Sequence, residues 1–322
     1  MTYARIAGVG SCLPEKVLTN KDLEGMMDTS DEWIRERTGM ERRHVAGDGE
    51  TTGSMSLIAA QRALDMAGMA ADDLDMIVVG TCTPDKIIPA TATIVQRELG
   101  IKGCPALDVN AACSGFLYGL DYANRYFLTG GAKTALVIGA ETLTRIVNWE
   151  DRTTAVLFGD GAGAVVLEVS DEPGIMSTHI HANGEFEELL HTTGGISRGF
   201  DASCDRDGFV RMEGNAVFKR AVGTFDSIAR ETVADLDGHL DDIDWFIPHQ
   251  ANMRIIKAAA KKLSMPMERV ITTVAEHANT SAASIPLALD LAVREGRIKR
   301  GDTLLMAAFG AGFTWGSAML KF

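Results

Sequence analysis

Residues 106–118 read ALDVNAACSGFLY, and Cys113 is their chemically distinctive member. The segment opens like a strand. After Cys113, apolar side chains at Phe116, Leu117, Leu120, Ala123 and Phe127 fit a helix that is apolar nearly all round. A helix starting at Cys113 aims unpaired backbone N–H groups and the positive end of its dipole at the sulfur, which favours a thiolate. Cysteine pKa values in such places fall from ~8.5 to roughly 3.5–7.5. Ala111, Ala112, Ser114 and Gly115 are small and leave room for a thioester. A backbone N–H there can stabilise an oxyanion. On this segment alone two readings stand: an acyl-accepting nucleophile, or a buried small residue of the kind free cysteines often are. Cys12, Cys82, Cys104 and Cys204 lack this context and are read as ordinary residues.

Two polar segments can supply partners. In WFIPHQANMR (residues 245–254), His249 leaves an apolar strand just before a helix. Strand C-termini in α/β sheets are where ligands bind. Near pH 7 a histidine can donate a hydrogen bond or move a proton; a helix cap is the plainer reading. In HANTSAAS (residues 277–284), Asn279 sits among small residues and offers an amide donor that does not titrate. Asn279-Thr280-Ser281 also matches a glycosylation sequon, read as accidental because no secretory signal is seen. His277 is read as structural.

Two further sets could bind. Trp33 and Arg37 share one helix face at i, i+4 and could sandwich an aromatic base, or form a plain surface cation–π pair. Arg254, Lys257 and Lys261, with Lys262 beside them, make a basic stripe on a helix that follows His249. Such a stripe is either a solvated face or a docking patch.

Elements must hold these residues together. Short apolar runs at Met76–Gly80, Ala135–Gly139, Ala164–Leu167, Trp245–Ile247 and Leu304–Ala308 suit strands buried on both faces. Helical stretches such as Ser54–Ala67 and Ala251–Leu263 lie between them, which predicts an α/β fold. FGDGAGAVVL from Phe158 is echoed by FGAGFTWGSAML from Phe309, about half a chain later. Each is read as Phe-Gly and a glycine-rich turn before a strand. The strand around Val78, after Asp75, pairs likewise with that around Phe246, after Asp244. Two echoes in one order predict two similar halves, residues 1–171 with the cysteine and residues 172–322 with the histidine and asparagine.

The 322 residues exceed what one core usually fills. A net charge of −13 disfavours nucleic acid and anionic membranes as partners. No run is long enough to span a bilayer, and no secretory signal is seen, so a cytoplasmic protein is expected. Five cysteines, none spaced C-x-x-C, predict neither a disulfide framework nor a metal site.

NAACSGF, PHQANMR and HANTSAAS, in that order, resemble the β-ketoacyl-acyl-carrier-protein synthase III family of bacterial type II fatty acid synthesis. The resemblance spans essentially the whole chain and includes DTSDEWIRERTG, FGDGAGAVVL and FGAGFTWGSAMLKF. It implies a thiolase-like fold: two similar α/β halves in an α-β-α-β-α layering, with buried helices between two mixed sheets. It implies Cys113, His249 and Asn279 as the catalytic triad. Thiolases carry a second catalytic cysteine near the C-terminus, and none follows Cys204 here. Elongating condensing enzymes use two histidines, where this chain has Asn279. Plant-type polyketide synthases share the triad but are longer, with different flanking motifs.

The implied reaction is ping-pong. An acyl-CoA, acetyl-CoA first of all, acylates Cys113; malonyl-acyl-carrier protein then loses carbon dioxide and attacks the acyl group. His249 and Asn279 would steady the enolate. The backbone N–H groups of Cys113 and Ala311 would form the oxyanion hole, although the family commonly has glycine at the Ala311 position. If that position needs positive φ, Ala311 is strained. Trp33, Arg37, Arg152 and Asn252 match CoA-binding positions, with Thr153 standing where glycine is usual. Gln250, Ala251, Asn252, Met253, Arg254, Lys219, Lys257 and Lys261 match a carrier-protein surface, and an acidic carrier suits that basic stripe. Ile87, Ile88 and Phe309 match the acyl pocket, the first two across a homodimer interface. No cofactor is implied. A related ketosynthase taking another primer in secondary metabolism is the alternative.

Two rivals fit less well. Gly8-Val9-Gly10-Ser11-Cys12-Leu13 starts like a dinucleotide fingerprint but ends on leucine, and Gly159, Gly161 and Gly163 precede a strand rather than a helix. A non-catalytic carrier-binding module would not need Cys113, His249 and Asn279 intact.

Overall fold

The computed structural model describes residues 3–236 and 238–322. Its first sheet has five strands: β1 (Tyr3–Cys12), β2 (Ile77–Gly80), β3 (Ala106–Val109), β4 (Thr134–Thr142) and β5 (Asp160–Ser170). Their order is β1-β5-β4-β2-β3. The second has four: β6 (Ile175–Ala182), β7 (Trp245–Pro248), β8 (Thr303–Gly310) and β9 (Thr314–Lys321), in the order β7-β8-β9-β6. In the first sheet β2 runs parallel to β4, which is antiparallel to β5, which is antiparallel to β1. The second repeats that pattern with β7, β8, β9 and β6. Strand β3 has no counterpart strand among the described residues; a single parallel bridge from Phe246 to Val270 stands in its place.

Helices form three layers around the sheets. Helix α1 (Asp31–Thr38) lies near the site. Helix α2 (Thr52–Ala67) covers the outer face of the first sheet, packing Met55, Ala59 and Ala63 with Ile77, Val79 and Ile138. Helices α3 (Gly115–Leu128) and α6 (Ser284–Arg294) lie between the sheets. There Leu117, Leu120, Ala288 and Leu289 join Val78 and Val165 of one sheet to Leu304 and Met306 of the other. Helices α4 (Gly214–Ala234) and α5 (Met253–Lys262) cover the second sheet, with Phe225 and Ile256 against Leu305 and Ala307. A middle layer meets apolar surface above and below, so α3 buries Phe116, Leu117, Leu120, Ala123 and Phe127, while its remaining edge carries exposed Tyr122 and the Asp121–Arg125 ion pair.

Each expected strand run coincides with a strand, β2 starting one residue late at Ile77. The glycine-rich stretch after Phe158 differs: β5 begins at Asp160, so Gly161 and Gly163 lie in the strand and not in a turn. The second echo does contain a turn, residues 311–313, between β8 and β9. Close approach explains the strand glycines. A Cβ on Gly139 of β4 would fall 2.1 Å from the Ala282 carbonyl oxygen, so only glycine lets the turn before α6 press onto the sheet.

Candidate active site

Cys113 lies on a 3-10 turn, Ala112–Ser114, that leads directly into α3. The expected helix start is therefore present. Ala112 takes φ of 45°, a left-handed conformation unusual for alanine that swings the chain sharply from β3 into the helix. The turn after β8 is tied to this elbow. Thr314 Oγ1 donates to the Ala111 carbonyl at 2.7 Å and Ser114 Oγ donates to the Thr314 carbonyl at 3.2 Å. A Cβ on Gly310 would sit 2.7 Å from the Cys113 nitrogen. Ala311 is not among the positive-φ residues, so its substitution for glycine carries no strain of that kind.

The thiol's electrostatics differ from the expectation. Burial pushes the Cys113 pKa up, to about 12, against a smaller pull downward from Ser281. Removing the sulfur from water disfavours its anion more than neighbouring Ser281 favours it, and the Glu141 carboxylate adds to the rise. The resting group is a thiol, and its proton must leave during acyl transfer.

His249 follows the last residue of β7, and its N–H donates to the Ala307 carbonyl at 2.8 Å. Its ring is buried, and burial lowers its pKa to about 3. The imidazole is thus neutral at physiological pH. Its Nδ1 lies 2.7 Å from Ser284 Oγ at the start of α6. The hydroxyl can donate to Nδ1, leaving a proton on Nε2, or accept from Nδ1, leaving Nε2 free as a base.

Asn279 is held by its backbone, donating to the Leu157 carbonyl at 2.9 Å and accepting from the Gly159 N–H at 3.0 Å. Its Oδ1 accepts from the Ser281 N–H at 2.9 Å. That bond fixes the amide orientation and leaves Nδ2 to donate elsewhere. Flanking Ala278 and Ser281 both have positive φ, 56° and 49°.

Cys113, His249, Asn279 and Phe309 line one cavity of about 420 Å³. Trp33, Arg37, Thr153, Asn252 and Arg254 line it too. The Arg37 and Arg152 guanidinium carbons each lie 5.1 Å from the Trp33 ring centroid, so the three positions matched to CoA binding converge. Asn252 also caps α5, its Oδ1 accepting from the Ile255 N–H at 2.9 Å. Arg254 lies over Phe218 at 5.4 Å, beside exposed Lys219, and Lys257 and Lys261 are exposed along the same helix. Ala251 lines the cavity, and Met253 packs against Gly39 at the end of α1.

Gln250 is a correction. It is fully buried, donating to the Pro248 and Ile271 carbonyls and accepting from the Thr273 N–H. It braces the segment and cannot belong to a carrier-facing surface. Ile87 and Ile88 do not line the cavity that holds Cys113 and Phe309 in the single chain, and they stand 68% and 83% exposed. His277 faces a separate cavity with Ser11 and Asp290.

Cys113 also borders a second cavity, of about 470 Å³, with Leu143, Ile146, Phe158, Leu190 and Ala311. Sequence reading missed the polar cluster beside it. Glu141 is completely buried at the end of β4 and accepts from Thr81, Thr83, Ser281 and the Cys82 N–H. Burial raises its pKa to about 7, while those donors pull it down. An acid ending the apolar run ALVIGAET was a signal available in the sequence. Ser284 was missed because a serine among small residues carries no pattern of its own.

Two mixed sheets around buried helices, with a thiol, an imidazole and a carboxamide on one cavity, define a thiolase-fold acyltransferase. Family profiles described as 3-oxoacyl-[acyl-carrier-protein (ACP)] synthase III match residues 107–184, and as its C terminal, residues 234–322. The chain is 60% identical to the beta-ketoacyl-[acyl-carrier-protein] synthase III of Thioalkalivibrio sulfidiphilus, over 100% of both chains. It is 58% identical to the enzyme of that name from Xanthomonas campestris pv. campestris, covering 99% of this chain and 98% of the relative. The crystal structure of 3-oxoacyl-[acyl-carrier-protein] synthase III from Aquifex aeolicus VF5 superposes with a TM-score of 0.93 at 46% identity, covering 99% of this chain and 100% of that one. The chain belongs to the β-ketoacyl-[acyl-carrier-protein] synthase III family.

Proposed function

We propose that this chain condenses acetyl-CoA with malonyl-acyl-carrier protein and so starts fatty acid synthesis. The observation that carries the reading is the meeting of Cys113, neutral His249 and oriented Asn279 on one cavity, with Trp33 and a basic helix beside it. In the first step the Cys113 sulfur attacks the thioester carbonyl. Its proton passes to His249 Nε2, with Nδ1–H donated to Ser284, and then to the departing CoA thiolate. Backbone N–H groups of Cys113 and Ala311 hold the oxyanion.

In the second step Ser284 donates to Nδ1 instead, so His249 Nε2–H and Asn279 Nδ2–H both reach the malonyl thioester oxygen. The bond to the carboxylate breaks, carbon dioxide leaves, and the electron pair becomes an enolate held by those two donors. One such donor is worth ~3–4 kcal/mol of barrier. The enolate carbon attacks the acyl carbonyl, and the Cys113 thiolate leaves and takes a proton from solvent, the one proton that the overall reaction consumes. A neutral imidazole suits this step because it donates without already carrying charge.

Trp33, Arg37 and Arg152 would take the CoA adenine by stacking. Lys219, Arg254, Lys257 and Lys261, with Ala251, Asn252 and Met253, would meet the acidic carrier. Exposed Ile87 and Ile88 suit an apolar homodimer contact, from which each chain would reach its partner's acyl pocket. The repeated strand pattern supports two related halves, residues 1–171 and 172–322. No helix among the described residues is long and apolar enough to cross a membrane, and these substrates suit a cytoplasmic enzyme. The reading is tested by supplying acetyl-CoA and malonyl-carrier protein to the purified chain. Acetoacetyl-carrier protein, CoA and carbon dioxide in equal amounts are expected; release of carbon dioxide without the condensed product would refute it.

A further inference from the structure

His179 and His181 alternate along β6 with Thr178 and Ile180, so both imidazoles leave the same face of the strand. Glu231 of α4 meets them there. His181 Nε2 lies 3.0 Å and 3.1 Å from the two Glu231 carboxylate oxygens, and His179 Nδ1 lies 3.4 Å from one of them. One ligand atom from each of the three residues falls within 4.8 Å of the others. We propose that His179, His181 and Glu231 form a binding site for a divalent transition-metal cation of the zinc type.

Spacing is the first support. Donors bound ~2.0–2.1 Å from a tetrahedral ion stand about 3.3–3.4 Å apart. The histidine–carboxylate separations of 3.0–3.4 Å already lie within a few tenths of that. The other support is the shell around the donors. His179 turns its remaining nitrogen, Nε2, to Ser177 Oγ at 3.0 Å and Asp235 Oδ2 at 3.6 Å, and Ser177 donates to Asp235 at 2.8 Å. The direct hydrogen-bond partner is the Ser177 hydroxyl, which accepts from Nε2–H while donating to Asp235, and such an outer partner fixes the tautomer of a ligating histidine and raises its basicity. The His181 ring stacks on Trp315 at 5.6 Å, and its carbonyl accepts from Tyr118 Oη at 2.7 Å.

Two imidazoles and a carboxylate suit zinc, cobalt or nickel; calcium and magnesium want more oxygen. All three side chains are partly open to solvent, so a cation can enter and keep water in its remaining position. Cysteine spacing gives no metal site in this sequence. The His-x-His of β6 gains its third donor only through the fold. A bound ion would clamp α4, whose Val217, Phe218 and Phe225 line the catalytic cavity, to the edge of the second sheet.

The test uses the full chain without a histidine tag. Cobalt(II) titration near neutral pH, read by visible absorption, and zinc titration by calorimetry should each give one equivalent bound. His179→Ala with His181→Ala should abolish it, and Asp235→Asn should weaken it about 10–100-fold. Zinc should raise the thermal midpoint of the wild type and not of the double variant. If that variant folds poorly, Glu231→Gln carries the same test, with at least tenfold weaker binding expected. The absence of a cobalt band in the wild type would overturn the site. So would unchanged affinity in Glu231→Gln, or in a folded double variant, since the ion would then sit elsewhere.

Discussion

Ser284 Oγ lies 2.7 Å from His249 Nδ1, a buried hydrogen bond between the first residue of α6 and the residue that follows β7. The same oxygen accepts from the Gln250 N–H at 3.3 Å. Ser284 therefore fixes the ring's orientation, and as both donor and acceptor it can partner either tautomer as the proton moves. Ser284→Ala should lower kcat about tenfold, equivalent to ~1.4 kcal/mol, and leave the KM for acetyl-CoA near its starting value. Steady-state kinetics check this. A KM effect with kcat unchanged would remove Ser284 from the chemistry.

Cys113 stands where helix-end electrostatics favour a thiolate and burial favours a thiol. Burial prevails, with the pKa raised to about 12. Alkylation of the unliganded protein by iodoacetamide should therefore be slow at neutral pH and climb steadily through the mildly alkaline range. Quantifying the modified Cys113 peptide at several pH values separates the cases. A rate already level near neutrality would mean a resting thiolate.

Burial lowers the pKa of His277 from 6.5 to about 4, with His44 nearby adding to the effect. Between those values the unfolded chain binds more protons than the folded one. This contribution to stability is full above 6.5 and is lost as pH falls toward 4. At pH 5 the cost is about 2 kcal/mol. His249 acts in the same sense, down to about 3. Urea midpoints should fall from neutral pH to pH 5, and His277→Gln should show a shallower fall; an identical fall would contradict the assignment.

Arg254 lies at the cavity with its guanidinium over Phe218, and Lys257 and Lys261 follow along α5. Arg254→Glu should raise the KM for malonyl-carrier protein roughly tenfold, about 1.4 kcal/mol, with much less effect on acetyl-CoA. Added salt should narrow the difference from wild type, because exposed charges are screened. Equal losses on both substrates would argue against a carrier surface.

Much of this was legible in the sequence because periodicity and helix-start chemistry are local. Val78, Val137 and Leu305 lie in short apolar runs, and those runs are strands. The turn at Cys113 followed from small residues before an apolar helix. What stayed hidden depends on contacts across the chain. Ser284 touches His249 only because α6 lies between the sheets, and Glu141 reaches Ser281 across 140 positions of sequence. Gln250 was misplaced for the same reason: its neighbours in sequence line a cavity, while its own amide is consumed by Pro248, Ile271 and Thr273. The thiol's pKa was misjudged because the helix end is visible in sequence and the depth of burial is not.

Every step of the proposed reaction depends on Cys113 carrying the acyl group. Incubation with acetyl-CoA alone, followed by peptide mass mapping, tests it most directly. One acetyl adduct per chain on the Cys113 peptide, and none on Cys113→Ala protein, is the predicted result. An adduct on another residue, or undiminished labelling of Cys113→Ala, would contradict it.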